Sequence, residues 1–477
     1  MSRDGIDSLA STALLGTARA TADLACAHTA GAVGFTDDDP ALRLLSAAAL
    51  EATFLAGATV PVPRPTGDVA PVDDRPVLPA AAAERLRGLL TVGSSLLDEW
   101  FAAAARFRAP HALVVDLLDK ALVVGEQHRD AMVALAGPRG AWVAARNPRW
   151  APLVVPAPSE DDVWLHGTAA PRRRWFEKLR EHDPAAAVTR LTRTWSSENA
   201  ATRQSLLEVL GRRTGGYDEA LLETALDDRS SKVRETAVRL LRRLPESAFG
   251  RRMTQRVHDW ARYDGATLTL TVPDPLDASA IRDGLGLRLG PALPTAAAHV
   301  VRSLAASAPM SAWCPPATTP NDVLAATVSD EFDTALRAGW NTAAAYHRNA
   351  EWAAALLRRD GTVGAHVAGS VPPDVLVTHL RAASGRTLLD ADLLGALPAP
   401  WPLDVAQRVL TALYTAGAPK SRQFRALTEL LAHRAPFELA ELCADAATRT
   451  DDIDRLHRFS SAADTLTHRR ILHEELS

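Results

Sequence analysis

An internal repeat constrains this chain more than any other feature. Residues 201–213 (Ala-Thr-Arg-Gln-Ser-Leu-Leu-Glu-Val-Leu-Gly-Arg-Arg) lie over residues 232–244 (Lys-Val-Arg-Glu-Thr-Ala-Val-Arg-Leu-Leu-Arg-Arg-Leu), with Arg203 falling on Arg234 at an offset of 31 residues. That period belongs to helical repeats, where the unit is a helix pair whose apolar face only a neighbouring pair can cover. The second copy reads as the turn and second helix of a HEAT-type unit. Val233, Ala237, Leu240, Leu241 and Leu244 share one face, Asp227 or Asp228 stands where a cap belongs, and Pro245 ends the run. Such arrays build extended binding surfaces rather than reaction pockets. The repeat therefore names an architecture and no reaction.

The 477 residues suffice for about three ordinary domains or for one elongated array. Hydrophobic residues make up 47% of the chain and aromatics only 5%, so the apolar content is mainly Ala, Leu and Val, which suits tight helix packing. An all-α fold is expected. A net charge of -4 and a pI near 6.4 exert no global pull on nucleic acid or anionic membrane. Only Lys120, Lys178, Lys232 and Lys420 among the 53 cationic residues are lysines, and an Arg and Ala excess is also what a GC-rich genome produces. Cys26, Cys314 and Cys443 are far apart and in no CxxC spacing, which points to neither a disulfide framework nor a thiolate zinc site. No apolar leader follows Arg3 and Asp4, and the most apolar run, residues 41–61, carries Arg43 and Glu51. A cytoplasmic protein outside the membrane is expected.

Along the chain, residues 1–158 read as an N-terminal helical domain. Ile6, Leu9, Leu14 and Leu15 form one stripe and Leu42, Leu45, Leu50 and Leu55 another, with Asp37-Asp38-Asp39-Pro40 as a helix start. Six prolines between Pro61 and Pro79 mark a linker, and helices resume at Ala80, one of them ending at Gly137-Pro138. After the cluster Pro152, Pro156 and Pro158, residues 159–263 hold the HEAT-like repeats, in which Asp183-Pro184 opens one helix and Gly215-Gly216 separates two pairs. Residues 264–320 form an insertion. Thr267-Leu-Thr-Leu-Thr-Val272 alternates as a half-buried strand does, and Gly284 to Leu289 is its expected antiparallel partner, giving a two-stranded excursion near 265–290. Residues 321–477 read as a C-terminal helical repeat domain.

The chemistry is sparse. There is no GxxxxGK[ST] loop, Gly284-Leu-Gly286-Leu-Arg-Leu-Gly290 misses the dinucleotide spacing, and no GxSxG elbow occurs. His473-Glu474-Glu475 lacks the second histidine of a zincin, His457 and His468 are too scattered to complete a site, and Cys26 and His28 fall on different faces of a helix. No catalytic residue, cofactor or metal is expected. The one charge anomaly is the stretch 229–256, where nine Arg and Lys face Glu235 and Glu246. Arg234, Arg239, Arg242, Arg243 and Arg252, with Trp260 nearby, form the candidate interaction surface. They could grip phosphates, with Trp260 stacking on a base as in helical-repeat DNA glycosylases, or they could pair with aspartates such as Asp227 and Asp228 on preceding turns. Arg172-Arg173-Arg174 reads as a solvated helix face. Trp340 and Trp352, set among alanines, read as inter-helix packing anchors.

Several groups together resemble an uncharacterised bacterial family, a domain of unknown function common in actinobacteria: Ala13-Leu-Leu-Gly-Thr-Ala-Arg19, Trp164-Leu-His-Gly167, Leu179-Arg180 before Asp183-Pro184, Leu226-Asp-Asp-Arg-Ser230 and Arg251-Arg-Met253. The resemblance implies genes lying beside those for a SWIM zinc-finger protein, a MoxR-type AAA+ ATPase and a von Willebrand A protein, and hence an adaptor role among such partners. It carries over no catalytic residue. The expectation is a HEAT-like helical solenoid acting as a non-enzymatic scaffold between proteins. The alternative is a nucleic-acid binder using the basic stretch 229–256.

Overall fold

The protein is described by a computed structural model over residues 4–19, 38–57, 69–153, 160–287, 290–417 and 421–477. It divides into two compact units, Met1–Ala70 and Pro71–Ser477. Among the described residues the fold is all-α apart from one two-stranded antiparallel sheet. No described helix is long and apolar enough to cross a membrane. Cys26, His28, Lys420, Pro156, Pro158 and the 61–68 part of the proline-rich segment lie outside the described residues.

The first unit contains the helices Asp4–Leu15 and Pro40–Gly57, which pack on each other. The second opens as its sequence dictates, with Pro40 in the first turn and Asp39 Oδ1 accepting from the Ala41 amide at 2.9 Å. The expected stripes are only partly realised. Leu9, Leu44 and Ala47 are buried together, whereas Leu14, Leu15, Leu42 and Leu45 are exposed, because a pair of helices has only one seam in which to bury side chains.

In the second unit, helices start and stop where caps and prolines place them. Asp183 accepts from the Ala186 amide at 2.9 Å ahead of Pro184, Asn199 from Thr202 at 3.0 Å and Asn349 from Trp352 at 3.0 Å. Between Glu126 and Ala145 the helix breaks at Gly137, whose φ of 64° and ψ of -161° leave the helical region just before Pro138. The cap expected from Asp227 or Asp228 does not form. Ser230 is the N-cap of Ser231–Leu241 and makes no side-chain cap bond, while Asp228 accepts from the Ser230 amide at 2.8 Å and pairs with Arg203 at 3.2 Å.

Helices then pack on the element after next. Ala169–His182 lies on Ala200–Leu210, which lies on Ser231–Leu241. Further on, Ala296–Ala305, Asp330–His347, Ala365–Ala368, Ala391–Ala396, Arg422–Arg434 and Ile453–Glu475 follow one another in a single row. Arginines tie successive layers by donating to main-chain carbonyls roughly one repeat away. Arg180 Nη2 reaches Arg213 O at 2.6 Å, Arg434 Nη1 reaches Leu397 O at 2.9 Å and Arg469 Nη1 reaches Ala432 O at 3.0 Å, while Arg243 reaches Gly211 O. These bonds give the last-turn carbonyls of helices the partners they lack within the helix.

The sheet departs from expectation. Leu268–Leu270 is a strand, but its partner is Ala261–Tyr263, with Ala261 opposite Leu270 and Tyr263 opposite Leu268. Residues 284–287 form a turn instead. The reason is local: Asp264-Gly265 supplies a tight turn, with Gly265 at φ 99° and Asp264 Oδ1 accepting from the Ala266 and Thr267 amides. Leu268 also donates to Thr327 O at 2.9 Å, so the second edge of the hairpin is covered.

Two apolar cores fill this unit. One contains Trp100, Phe107, Leu113 and Leu117, and the other runs from Trp164 to Leu466. Trp340 and Trp352 are 1% and 2% exposed with rings 5.4 Å apart, which is the packing role their alanine neighbours imply. Ile453–Glu475, the longest helix, belongs to both cores: Phe459, Ala462 and Leu466 enter the larger, Leu472 the smaller. Arg85 clasps Glu475 at 2.6 Å and Arg469 clasps Glu99 at 2.8 Å across the same seam.

Candidate basic cleft

The candidate arginines do not form one surface. Arg252 lies between Asp283 and Glu223 at 2.6 and 3.0 Å, and Arg256 donates to the same Asp283 at 2.7 Å. The paired carboxylates raise the Arg252 pKa, the hydrogen bond to Asp283 contributing most. Arg282 extends the network to Asp227 at 2.8 Å and holds that carboxyl below its ordinary range. Arg234 turns back on the chain, donating to Asp228 O at 2.7 Å. Arg243 bonds Gly211 O and lies over the Tyr346 ring at 5.1 Å. Trp260 is half-buried against the larger core.

Pairing of arginine with aspartate on preceding turns is therefore present, although the arginines that reach Asp227 and Asp228 side chains are Arg282 and Arg203. The window 229–256 looks cationic because the carboxylates that hold Arg252 and Arg256, Glu223 and Asp283, stand outside it. The Arg172 to Arg174 run is likewise less solvated than expected. Arg172 pairs with Glu198 and lies over Trp164, and Arg173 pairs with Glu177, which leaves Arg174 exposed.

Two of the candidates, Arg239 and Arg242, do come together, in a cleft of about 550 Å³. Its walls are the helices Ser231–Leu241, Ala296–Ala305 and Asp330–His347, which bring Lys232, Arg302, Ser303, Thr342 and Tyr346 to the same space, with Glu235 also in the lining. Arg242 is 7% exposed, and its Nε donates to Ser307 Oγ at 2.8 Å. Burial lowers its pKa to about 10, with the nearby Arg302 charge acting in the same direction, so it stays cationic at neutral pH. The Arg242 carbonyl accepts from His347 Nε2 at 2.8 Å, which fixes the end of its helix on the facing one. Arg302 donates to Pro291 O and lies 3.0 Å from His299 Nδ1. Sequence reading could not find Arg302, Ser303, Thr342 or Tyr346, since no linear spacing joins helices this far apart in the chain.

A second, wider cleft of about 990 Å³ lies where Ile453–Glu475 meets the smaller core, with Glu99, His433, Arg469 and His473 around it. Burial pushes the Glu99 carboxyl up, but the bonds from Arg469 and His473 outweigh it and leave the group below its usual value. Glu99, Arg469 and His473 satisfy one another. Among the described residues no cluster of His, Cys, Asp or Glu is arranged to hold a metal ion. Burial raises the Cys314 thiol to about 11 and the Cys443 thiol to about 12, so neither is a thiolate at neutral pH.

Comparison with curated proteins and with solved structures returns no match. Residues 8–476 match the model described as "Family of unknown function (DUF5691)". The match covers nearly the whole chain, both units and the cleft included, and the protein belongs to that family.

Proposed function

We propose that the protein is a cytoplasmic adaptor built as a HEAT-like helical solenoid, binding other proteins along its helix rows rather than transforming a substrate. The observation that carries this reading is the packing of successive helices in rows, Ala169–His182 on Ala200–Leu210 on Ser231–Leu241 and Ala296–Ala305 through to Ile453–Glu475, with arginine-to-carbonyl bonds joining layers about one repeat apart. An array of that kind presents long grooves and ridges, which suits a scaffold. The partner class we favour is a MoxR-type AAA+ ATPase with a von Willebrand A or SWIM zinc-finger protein, on the strength of the resemblance carried by residues 13–19, 164–167 and 226–230. Affinity purification of the full chain from its native host tests this. Recovery of an AAA+ ATPase in stoichiometric amount is expected, and recovery of no protein partner overturns the reading.

The nucleic-acid alternative draws less support. Arg252 and Arg256 are neutralised by Asp283 and so release few counterions from a phosphate backbone, while Arg234 and Arg243 are turned back onto main-chain carbonyls. A mobility shift at low salt is expected to be flat. A shift abolished by Arg239→Ala would favour the alternative.

A further inference from the structure

We propose that the cleft between the Ser231–Leu241, Ala296–Ala305 and Asp330–His347 helices binds a phosphorylated small molecule, with the Arg242 guanidinium as its anchor. The inference is independent of the adaptor reading and would hold if no protein partner were found.

Arg242 is one of five buried arginines among the described residues, of which Arg302, in the same lining, donates to Pro291 O and lies 3.0 Å from His299 Nδ1. Arg180, Arg256 and Arg469 are each nearly inaccessible, and each has a carboxylate: Asp218 at 2.6 Å, Asp283 at 2.7 Å and Glu99 at 2.8 Å. Arg242 is equally inaccessible and has none. Among the described residues the one hydrogen bond of its guanidinium runs from Nε to Ser307 Oγ, so Nη1 and Nη2 remain for whatever enters the cleft that Arg242 lines. A buried cation without a counter-ion is costly, and the fold keeps this one where replacement by an apolar side chain would relieve the cost. A ligand anion supplies the missing charge.

A second, independent observation lies beside it. Ser303 is 1% exposed, lines the same cleft, and its hydroxyl has no partner among the described residues. An unpartnered hydroxyl and the two Nη groups of Arg242, lining one cleft, suit a group with several acceptor oxygens. Lys232, Arg239 and Arg302 add positive charge to the lining, against the single carboxylate of Glu235. The forked guanidinium pairs bidentately with phosphate oxygens, and the hydroxyls of Thr342 and Tyr346, also in the lining, can serve the remaining ones. The fork is held ready. Ser307 Oγ, which receives Nε, itself donates to Ser303 O at 2.6 Å, and His347 fixes the Arg242 carbonyl. The volume of about 550 Å³ falls in the range of small-molecule sites. An anchor this deep is out of reach of a duplex lying on the surface.

Inorganic pyrophosphate is the probe, with citrate at matched ionic strength as the carboxylate control, measured on the full chain by calorimetry and thermal shift. Pyrophosphate is expected to bind at one site and raise the melting temperature, and citrate to bind at least tenfold more weakly. Arg242→Met should lower pyrophosphate affinity about a hundredfold while melting no lower than the native protein, because it removes an uncompensated buried charge. Arg239→Glu, at an exposed position, and Ser303→Ala should each weaken binding about tenfold with the fold intact. These two variants decide the matter should Arg242→Met fail to fold. Absence of pyrophosphate binding overturns the proposal, as does binding that none of the three substitutions weakens. Citrate binding as tightly, or a short oligonucleotide binding more tightly with the same dependence on Arg242, overturns the ligand class.

Discussion

Asp283 holds two arginines with one carboxylate, and it is 1% exposed. Asp283→Ala would leave Arg256 without its carboxylate in a buried site, and a loss of about 3–5 kcal/mol in denaturant unfolding is expected. Asp227→Ala, whose carboxylate is largely exposed, should cost under about 1 kcal/mol, and equal effects would refute the burial argument. His347 makes a different prediction. Burial lowers its pKa, so the folded state prefers the neutral ring; its contribution to stability is complete above the unfolded value of about 6.5 and is lost as pH falls toward the folded one. His347→Gln, which can still donate to Arg242 O, should flatten the stability profile below pH about 6.5. An unchanged profile would place that titration elsewhere, for instance at His433, whose pKa is also lowered by burial. These residues also show what a sequence can and cannot convey about charge. The basic character of 229–256 was legible, but its neutralisation was not, because Glu223 and Asp283 reach it through the stacking of helices rather than along the chain.

Elements were legible where local chemistry decides them. Asp183-Pro184, Gly137-Pro138 and the alanine-flanked tryptophans could be read directly, since caps, broken helices and packing anchors depend on residues a few positions apart. The hairpin partner was misassigned although its signal, Asp264-Gly265, stood in plain view. Ala261–Tyr263 follows a helix without a break, and a three-residue strand carries almost no periodicity of its own. Close helix crossings escape sequence reading altogether. At Gly339 a Cβ atom would lie 2.4 Å from Ala305 Cβ and 2.8 Å from Arg302 O, so glycine is what lets Asp330–His347 approach Ala296–Ala305. Gly339→Ala should destabilise the protein by about 1–3 kcal/mol, despite the better helix propensity of alanine. A neutral or stabilising result in chemical denaturation would mean the two helices can separate freely. Gly88→Ala, with open space around it, is the control and should be neutral or slightly stabilising.

At the scale of the molecule, the proposed solenoid would by itself unfold piecemeal, each layer depending only on its neighbours. Ile453–Glu475 works against that independence by seating residues in both cores of the second unit. Leu472→Ala should cost about 2–5 kcal/mol. Hydrogen exchange should show amides in 111–123 and 422–434 losing protection together, whereas loss confined to 111–123 would mean that the cores are uncoupled. The same helix gives the molecule a history during synthesis. Glu99 leaves the ribosome 370 residues ahead of Arg469, a delay of roughly 20 to 75 s at ordinary elongation rates. Throughout that interval the helices of residues 80–145 stand with the seat of Leu472 open and apolar. A nascent chain halted before residue 453 thus carries its own mark of incompleteness, a sticky groove that chaperones and proteases can recognise and that only the arrival of the bridging helix erases.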